Sequence, residues 1–133
     1  MFKYYNANPL GRNVNDCSVR AIACATGRTW YEIYDELSSY AREKAITFSE
    51  IEFINNYLAD RYERFCPDRQ KIHTIQDFLD LQLQGTYLIT MSNHITCVID
   101  GTLYDTFDCS DKLFWCIYKQ GSKYNLLPFS IQN

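Results

Sequence analysis

Residues 86–108 read TYLITMSNHITCVIDGTLYDTFD, and this stretch decides the fold class. Its apolar residues alternate with polar ones or form short runs, which is typical of β-strands. Asp100 and Gly101 separate two of the runs and indicate a tight hairpin, because glycine accepts a positive φ. A later run, KLFWCIYK at 112–119, has the same character. The sequence therefore predicts an antiparallel sheet in the C-terminal part of the chain.

The first predicted helix covers 15–27 and carries Cys17 near its start. Asn15 or Asp16 is its expected N-cap, and Gly27 its left-handed C-terminal residue. Apolar residues follow helical spacing, and the remaining faces carry small side chains. Such a helix can be packed on several sides.

Three more helices are predicted before Gly85. After Gly85 the spacing of apolar residues changes from the helical period to a period of two or to short apolar runs. The second begins at Thr29, which can form a capping box with Glu32. Its predicted buried residues are Trp30, Ile33, Tyr34, Leu37 and Ala41. The third helix begins near 47–49 and the fourth at Thr74. Helices followed by strands indicate the α+β class, and 133 residues are most simply one domain, 1–133.

Composition and charge exclude several classes of function. A net charge of −3 with scattered basic residues gives no electrostatic footprint for nucleic acid. No apolar stretch has the length of a membrane span or of a signal peptide, so we expect a cytoplasmic protein without a membrane partner. The six cysteines are then expected to be reduced thiols rather than disulfides.

Cys17 lies at the start of a predicted helix, in the stretch NVNDCSVRAIACATGR at 13–28. A cysteine that only fills a core fits the middle of a helix better. At a helix N-terminus the aligned peptide dipoles and free N–H groups lower the pKa of a thiol. Cys17 is therefore a candidate nucleophile, and a nucleophilic thiol needs a base.

The sequence offers two histidines as that base. His73 precedes a predicted helix in a charged stretch, where a solvated surface histidine is expected. His94 is the first residue of a predicted strand, next to a polar break, and so lies at the rim of the sheet. We assign the role of base to His94.

A carboxylate on the second ring nitrogen would orient His94. A two-residue turn at 100–101 places Asp105 diagonally from His94 on the same face of the hairpin. One extra residue in the turn, or a bulge, places Asp108 directly opposite instead. Both stay candidates, with a preference for Asp108 because the end of the second strand lies nearest the start of the first.

Two asparagines, Asn13 and Asn15, are candidates for stabilising an oxyanion together with the backbone N–H of Cys17. Asparagine before a helix is also typical of caps and turns. A zinc site is the metal alternative, with ligands drawn from the set His94, Cys97, Cys109 and Cys116. His94 and Cys97 lie on opposite faces of a strand, and the sequence has no C-x-x-C pair, so we expect no metal and no cofactor.

Two motifs resemble the small papain-like cysteine peptidases of bacteria and phages. They are NDCSVRAIACATG at 15–27 and HITCVIDGTLYDTFDCS at 94–110. The family order is D-C-x-x-R-A, two helices, H-x-x-x-x-x-D-G and D-T-W-D, with Phe107 here in the tryptophan position. More distantly, the chain resembles bacteriocin-leader peptidases and NlpC/P60 hydrolases.

The resemblance implies a papain-like fold in which the helix of Cys17 packs on the sheet that carries His94. It implies a Cys-His-Asp triad with Cys17 as nucleophile. Papain-like enzymes usually place a glutamine six residues before the cysteine, and that position is Gly11 here. The oxyanion donor must then come from elsewhere.

Four functions are compatible with these motifs. The first is a peptidase or isopeptidase that acts on a peptide or protein through a thioester. Glutamine deamidation or acyl transfer would use the same triad. A phage protein that binds a host component after losing the reaction would explain the missing glutamine and the many aromatic residues. A cell-wall amidase is disfavoured, because no export signal or wall-binding module is visible.

Overall fold

The computed structural model describes residues 1–48 and 51–121. Four helices and six strands lie within those ranges. In chain order they are β1 Phe2–Tyr4, α1 Cys17–Thr26, α2 Trp30–Lys44, α3 Ile51–Arg61, β2 Glu63–Phe65, α4 Ile75–Leu79, β3 Thr86–Met91, β4 His94–Ile99, β5 Thr102–Asp105 and β6 Cys116–Lys119. The prediction of a mixed helix and sheet protein is confirmed. The predicted start of the third helix at 49 lies outside the described residues.

The strands form one mixed sheet in the order β1-β5-β4-β3-β6-β2. Strands β3 to β6 are antiparallel to their neighbours within this group, as predicted. The prediction of a purely C-terminal antiparallel sheet is wrong at both edges. There β1 pairs in parallel with β5, and β2 pairs with β6. Each of these strands has three residues, too few to show a periodic pattern.

The hairpin between β4 and β5 fixes the geometry of the later site. Asp100 and Gly101 have φ values of 50° and 82°, as a two-residue turn with two left-handed positions requires. Ile99 consequently pairs with Thr102. The predicted hairpin is confirmed, and of the two turn lengths that the sequence allows, the two-residue turn forms and the longer turn that would bring Asp108 opposite His94 does not.

Helix α1 is the centre of the larger core, where Ile22 is fully buried. The helix ends at Gly27, which has a φ of 73° and donates its N–H to Ala23 O. Ile95 and Cys97 of β4 pack in the core cluster that contains α1, whereas Val98 packs in a second cluster that also contains α4 residues. The predicted alternation of β4 is thus confirmed.

Helix α2 begins with the predicted capping box at Thr29, and α4 begins after Thr74 as predicted, with a capping box of its own. The buried stripe of α2 is confirmed at Ile33, Leu37 and Ala41. It is wrong for Tyr34, which is 44% exposed, and Trp30 is only half-buried. Both aromatic residues line a cleft, and Trp30 also packs against the larger core. Within the described residues, no helix has the length and apolar character needed to cross a membrane.

Candidate active site

Cys17 is the first residue of α1, so the N–H groups around it lack partners within the helix. Asp16 is the N-cap, but its side chain makes no capping hydrogen bond. The backbone donors of the first turn are therefore not used by the cap, and the positive end of the helix dipole lies at the thiol. The Cys17 side chain is half-buried and lines a cleft.

His94 on β4 acts on the thiol of Cys17, and both residues line the same cleft. Burial alone would raise the pKa of Cys17. The pKa of Cys17 is nevertheless lowered. Burial is outweighed by the hydrogen bond and positive charge of His94, together with the backbone at Ile95 and the charge of Arg20. The thiolate is therefore favoured more than in an ordinary cysteine.

The ring of His94 is held on its other side by Asp105, with 2.7 Å between Nε2 and Oδ2. Burial opposes the charged ring, but hydrogen bonds to Asp105, Cys109 and Cys17 raise the pKa of His94 to about 11. Burial alone would raise the pKa of Asp105, but the hydrogen bond and positive charge of His94 and the backbone N–H of Thr106 act together against it, and the pKa is lowered. At neutral pH the site therefore holds an imidazolium between a carboxylate and the thiol.

The preference for Asp108 as the partner of His94 is wrong. Asp108 is exposed, and its carboxylate accepts the N–H of Ser110 at 3.0 Å. Because the hairpin has a two-residue turn, the second strand ends at Asp105, the other predicted candidate. The aromatic ring of Phe107, in the loop after β5, lies 4.8 Å from the His94 ring, centroid to centroid. His73 is exposed, as predicted.

Behind the site, Arg20 joins two buried carboxylates. Its guanidinium forms an ion pair with Asp16 and lies 3.6 Å from Oδ1 of Asp105. The other oxygen of Asp16 accepts hydrogen bonds from Nδ2 of Asn8 at 3.0 Å and from Nε1 of Trp30 at 2.9 Å. This network, Asp16–Arg20–Asp105, explains why Asp16 does not cap α1.

Sequence reasoning missed the roles of Arg20, Asn8 and Trp30. The spacing of Asp16 and Arg20 is a readable signal, because residues four apart meet on one helix face. The contact between Arg20 and Asp105 joins positions 85 residues apart, so no local pattern could have indicated it.

The two predicted oxyanion asparagines differ in position. Asn15 is exposed and lies on the cleft wall. Asn13 is exposed and does not line the cleft. Of the two predicted oxyanion donors, Asn15 is thus the one whose residue lines the cleft.

The cleft beside Cys17 and His94 has a volume of about 560 Å³. Several of its wall residues are aromatic: Trp30, Tyr34, Phe48 and Trp115. The rings of Trp30 and Tyr34 are stacked, with 5.2 Å between centroids. A volume of this size suits a short segment of peptide or another small ligand.

The four residues considered as ligands in the zinc alternative do not form one group among the described residues. Instead, His94, Asp105 and Cys109 place their ligand atoms within 4.8 Å of one another. Zinc needs about 2.0–2.3 Å to each ligand, with the ligands spread tetrahedrally around it. Here Nε2 of His94 and Oδ2 of Asp105 bond to each other directly, and Cys109 is fully buried beside them. The arrangement fits hydrogen bonding better than metal binding. The structure shows all six cysteines as free thiols.

Comparison with known proteins found no matching family model, no matching curated protein and no matching solved structure.

Proposed function

We propose that the protein is a papain-like cysteine hydrolase that cleaves a peptide or isopeptide bond, with Cys17, His94 and Asp105 as its triad. One observation carries the proposal. A thiol at a helix N-terminus interacts with a histidine whose second ring nitrogen is 2.7 Å from a buried carboxylate, on the wall of a cleft. A nucleophile, its proton partner and an orienting group are together in one place.

In the first half of the reaction, the Cys17 thiolate attacks the carbonyl carbon of the substrate. The carbonyl oxygen gains negative charge, and the backbone N–H of Cys17 is available to stabilise it. His94 enters this step already protonated, so it acts as an acid rather than as the first base. It donates its proton to the departing amine, the C–N bond breaks, and a thioester remains on Cys17.

In the second half, neutral His94 takes a proton from water, and the resulting hydroxide attacks the thioester carbonyl. The C–S bond breaks, the acid product leaves, and the imidazolium and thiolate pair forms again. Asp105 stays ionised throughout and stabilises the cationic ring. Arg20 supports Asp105 from the opposite side.

The proposal is tested by thiol labelling and turnover together. Iodoacetamide at pH 5.5 should label Cys17 faster than Cys66, which is exposed and serves as an internal control. A library of quenched fluorescent peptides should be cleaved by the wild-type protein and by Cys66→Ser, but not by Cys17→Ser. A Cys17 that labels no faster than Cys66 contradicts the proposal, as does cleavage that survives Cys17→Ser.

A binding protein with the same fold is the second candidate. Exposed aromatic residues line the cleft, with Trp115 46% exposed, Tyr34 44% and Phe48 41%. Such side chains frequently anchor protein interfaces. Fast labelling of Cys17 without turnover of any acyl or amide substrate would favour this candidate. Release of ammonia from glutamine peptides would instead indicate a deamidase on the same triad.

A further inference from the structure

Two residues that line the cleft, Thr90 and Asn55, each have a buried polar atom without a hydrogen-bond partner, and we call this pair the floor of the cleft. Thr90 is 4% exposed, and its Oγ1 is buried without a hydrogen-bond partner. Oδ1 of Asn55, on α3, is also buried without a hydrogen-bond partner. Both residues line the cleft that Cys17 and His94 share. Buried polar atoms are rarely left unpaired, because the cost is about 1–3 kcal/mol for each group.

Thr90 lies inside the sheet, where it pairs with Ile95 on one side and with Cys116 on the other. Its backbone carbonyl is already used, since it accepts the N–H of Trp115 at 2.7 Å. The backbone of Thr90 is therefore fixed within the sheet, while its hydroxyl lacks a hydrogen-bond partner. Apolar and aromatic residues, including Ile54 and Trp115, also line the cleft.

The electrostatics of the cleft select against a charged ligand group. Outside the triad, Asp16 is the only acidic or basic side chain among the described residues that line the cleft, and Arg20 already neutralises it. A cationic side chain would find no free counter-charge on the floor. A carboxylate would meet the negative end of the Asn55 amide at Oδ1.

We infer that Thr90 and Asn55 form a subsite for an uncharged carboxamide side chain, glutamine or asparagine, of the substrate. A carboxamide offers one acceptor and two donors on a flat end. Its oxygen accepts from the Thr90 hydroxyl, and its N–H donates to Oδ1 of Asn55. Its methylene groups contact the apolar wall. This inference rests on the proposed function, since it describes how that hydrolase recognises its substrate.

The test uses sets of quenched fluorescent hexapeptides in which one position at a time is glutamine, asparagine, glutamate or methionine. At one position, we expect wild-type protein to prefer glutamine or asparagine over both glutamate and methionine by at least about tenfold in kcat/KM. Thr90→Val keeps the shape but removes the hydroxyl, and it should reduce that preference about tenfold. Thr90→Ser should retain it. Asn55→Leu should act like Thr90→Val, whereas the exposed neighbour Asn56→Leu should have no effect.

A second readout separates this inference from the proposed function. Peptides that carry a vinyl sulfone and either glutamine or methionine should label Cys17 with the same preference. Labelling with that preference but no turnover would overturn the hydrolase while supporting the subsite. Cleavage with equal rates for the amide and methionine peptides would overturn the subsite. So would a preference that survives Thr90→Val, and the floor would then hold water only.

Discussion

The interface between α1 and β4 has two ends with different chemistry. At the cleft end Cys17 interacts with His94, and at the closed end Cys24 interacts with Cys97. Seven residues of helix rise about 10.5 Å and three residues of strand about 10 Å, so the two contacts have matching spacings along α1 and β4, although His94 and Cys97 lie on opposite faces of the strand. A thiol on α1 meets its partner at each end.

The partners and their surroundings make the difference. The hydrogen bond between the two thiols of the closed end lowers the pKa of Cys24 and, together with burial, raises the pKa of Cys97. Cys97 is also fully buried. Cys17 instead faces a ring that is kept positive by Asp105, beside an open cleft. At both ends a partner on β4 helps to lower the pKa of the α1 thiol, but at the cleft end that partner also contributes a positive charge, and the thiol lines an open cleft.

The largest expected effect comes from the ion network that only the cleft end has. Arg20→Met should lower the free energy of unfolding by about 3–5 kcal/mol, because the buried carboxylates of Asp16 and Asp105 lose their shared cation. Arg28→Met removes an exposed ion pair with Glu36 and should cost about 1 kcal/mol or less. Urea unfolding followed by circular dichroism measures both. Equal losses of unfolding free energy in the two variants would show that the buried network stabilises the fold no more than one exposed ion pair does.

Removing the partner of Cys17 should remove the activation at the cleft end and leave the closed end unchanged. In His94→Ala, the pKa of Cys17 should rise towards that of an ordinary thiol. At pH 6.5 an ordinary thiol is only about 1% ionised, so labelling of Cys17 by iodoacetamide should slow by up to about 100-fold. Mass spectrometry follows the reaction, with Cys66 as the reference in the same sample. An unchanged rate would show that His94 does not activate Cys17.

The role of Asp105 can be measured without any substrate, because the chain has only two histidines. Asp105→Asn should lower the pKa of His94 from about 11 by at least about one unit, since the negative charge that holds its proton is gone. Asp108→Asn should leave the pKa of His94 unchanged. Ring-proton NMR against pH gives both results, and the His73 signal serves as an internal reference. A larger shift in Asp108→Asn would restore the assignment that the sequence favoured.

The sequence predicted the parts of the site that depend on local order. The two-residue period identified β4, and the Asp100-Gly101 turn set the register that brings Asp105 towards His94. The preference for Asp108 over Asp105 is wrong, because the sequence around Asp100 and Gly101 allows a turn of two residues as well as a longer one. The edge strands β1 and β2 were too short to show a pattern. The contact of Arg20 with Asp105 and the unpaired Thr90 hydroxyl exist only once the sheet and helices are packed together.

The smallest effect is expected at the closed end, where Cys24→Ser changes one half-buried thiol. A serine hydroxyl can still interact with Cys97, so the free energy of unfolding should change by about 1 kcal/mol or less. Cys17 lies two turns away on the same helix, and its activation depends mainly on His94, not on Cys24. The labelling rate of Cys17 in this variant should therefore stay within about twofold of wild type, with the other thiols as references. If labelling of Cys17 slowed as much as in His94→Ala, the two ends would be coupled through α1, and activation could not be assigned to the charge of His94 alone.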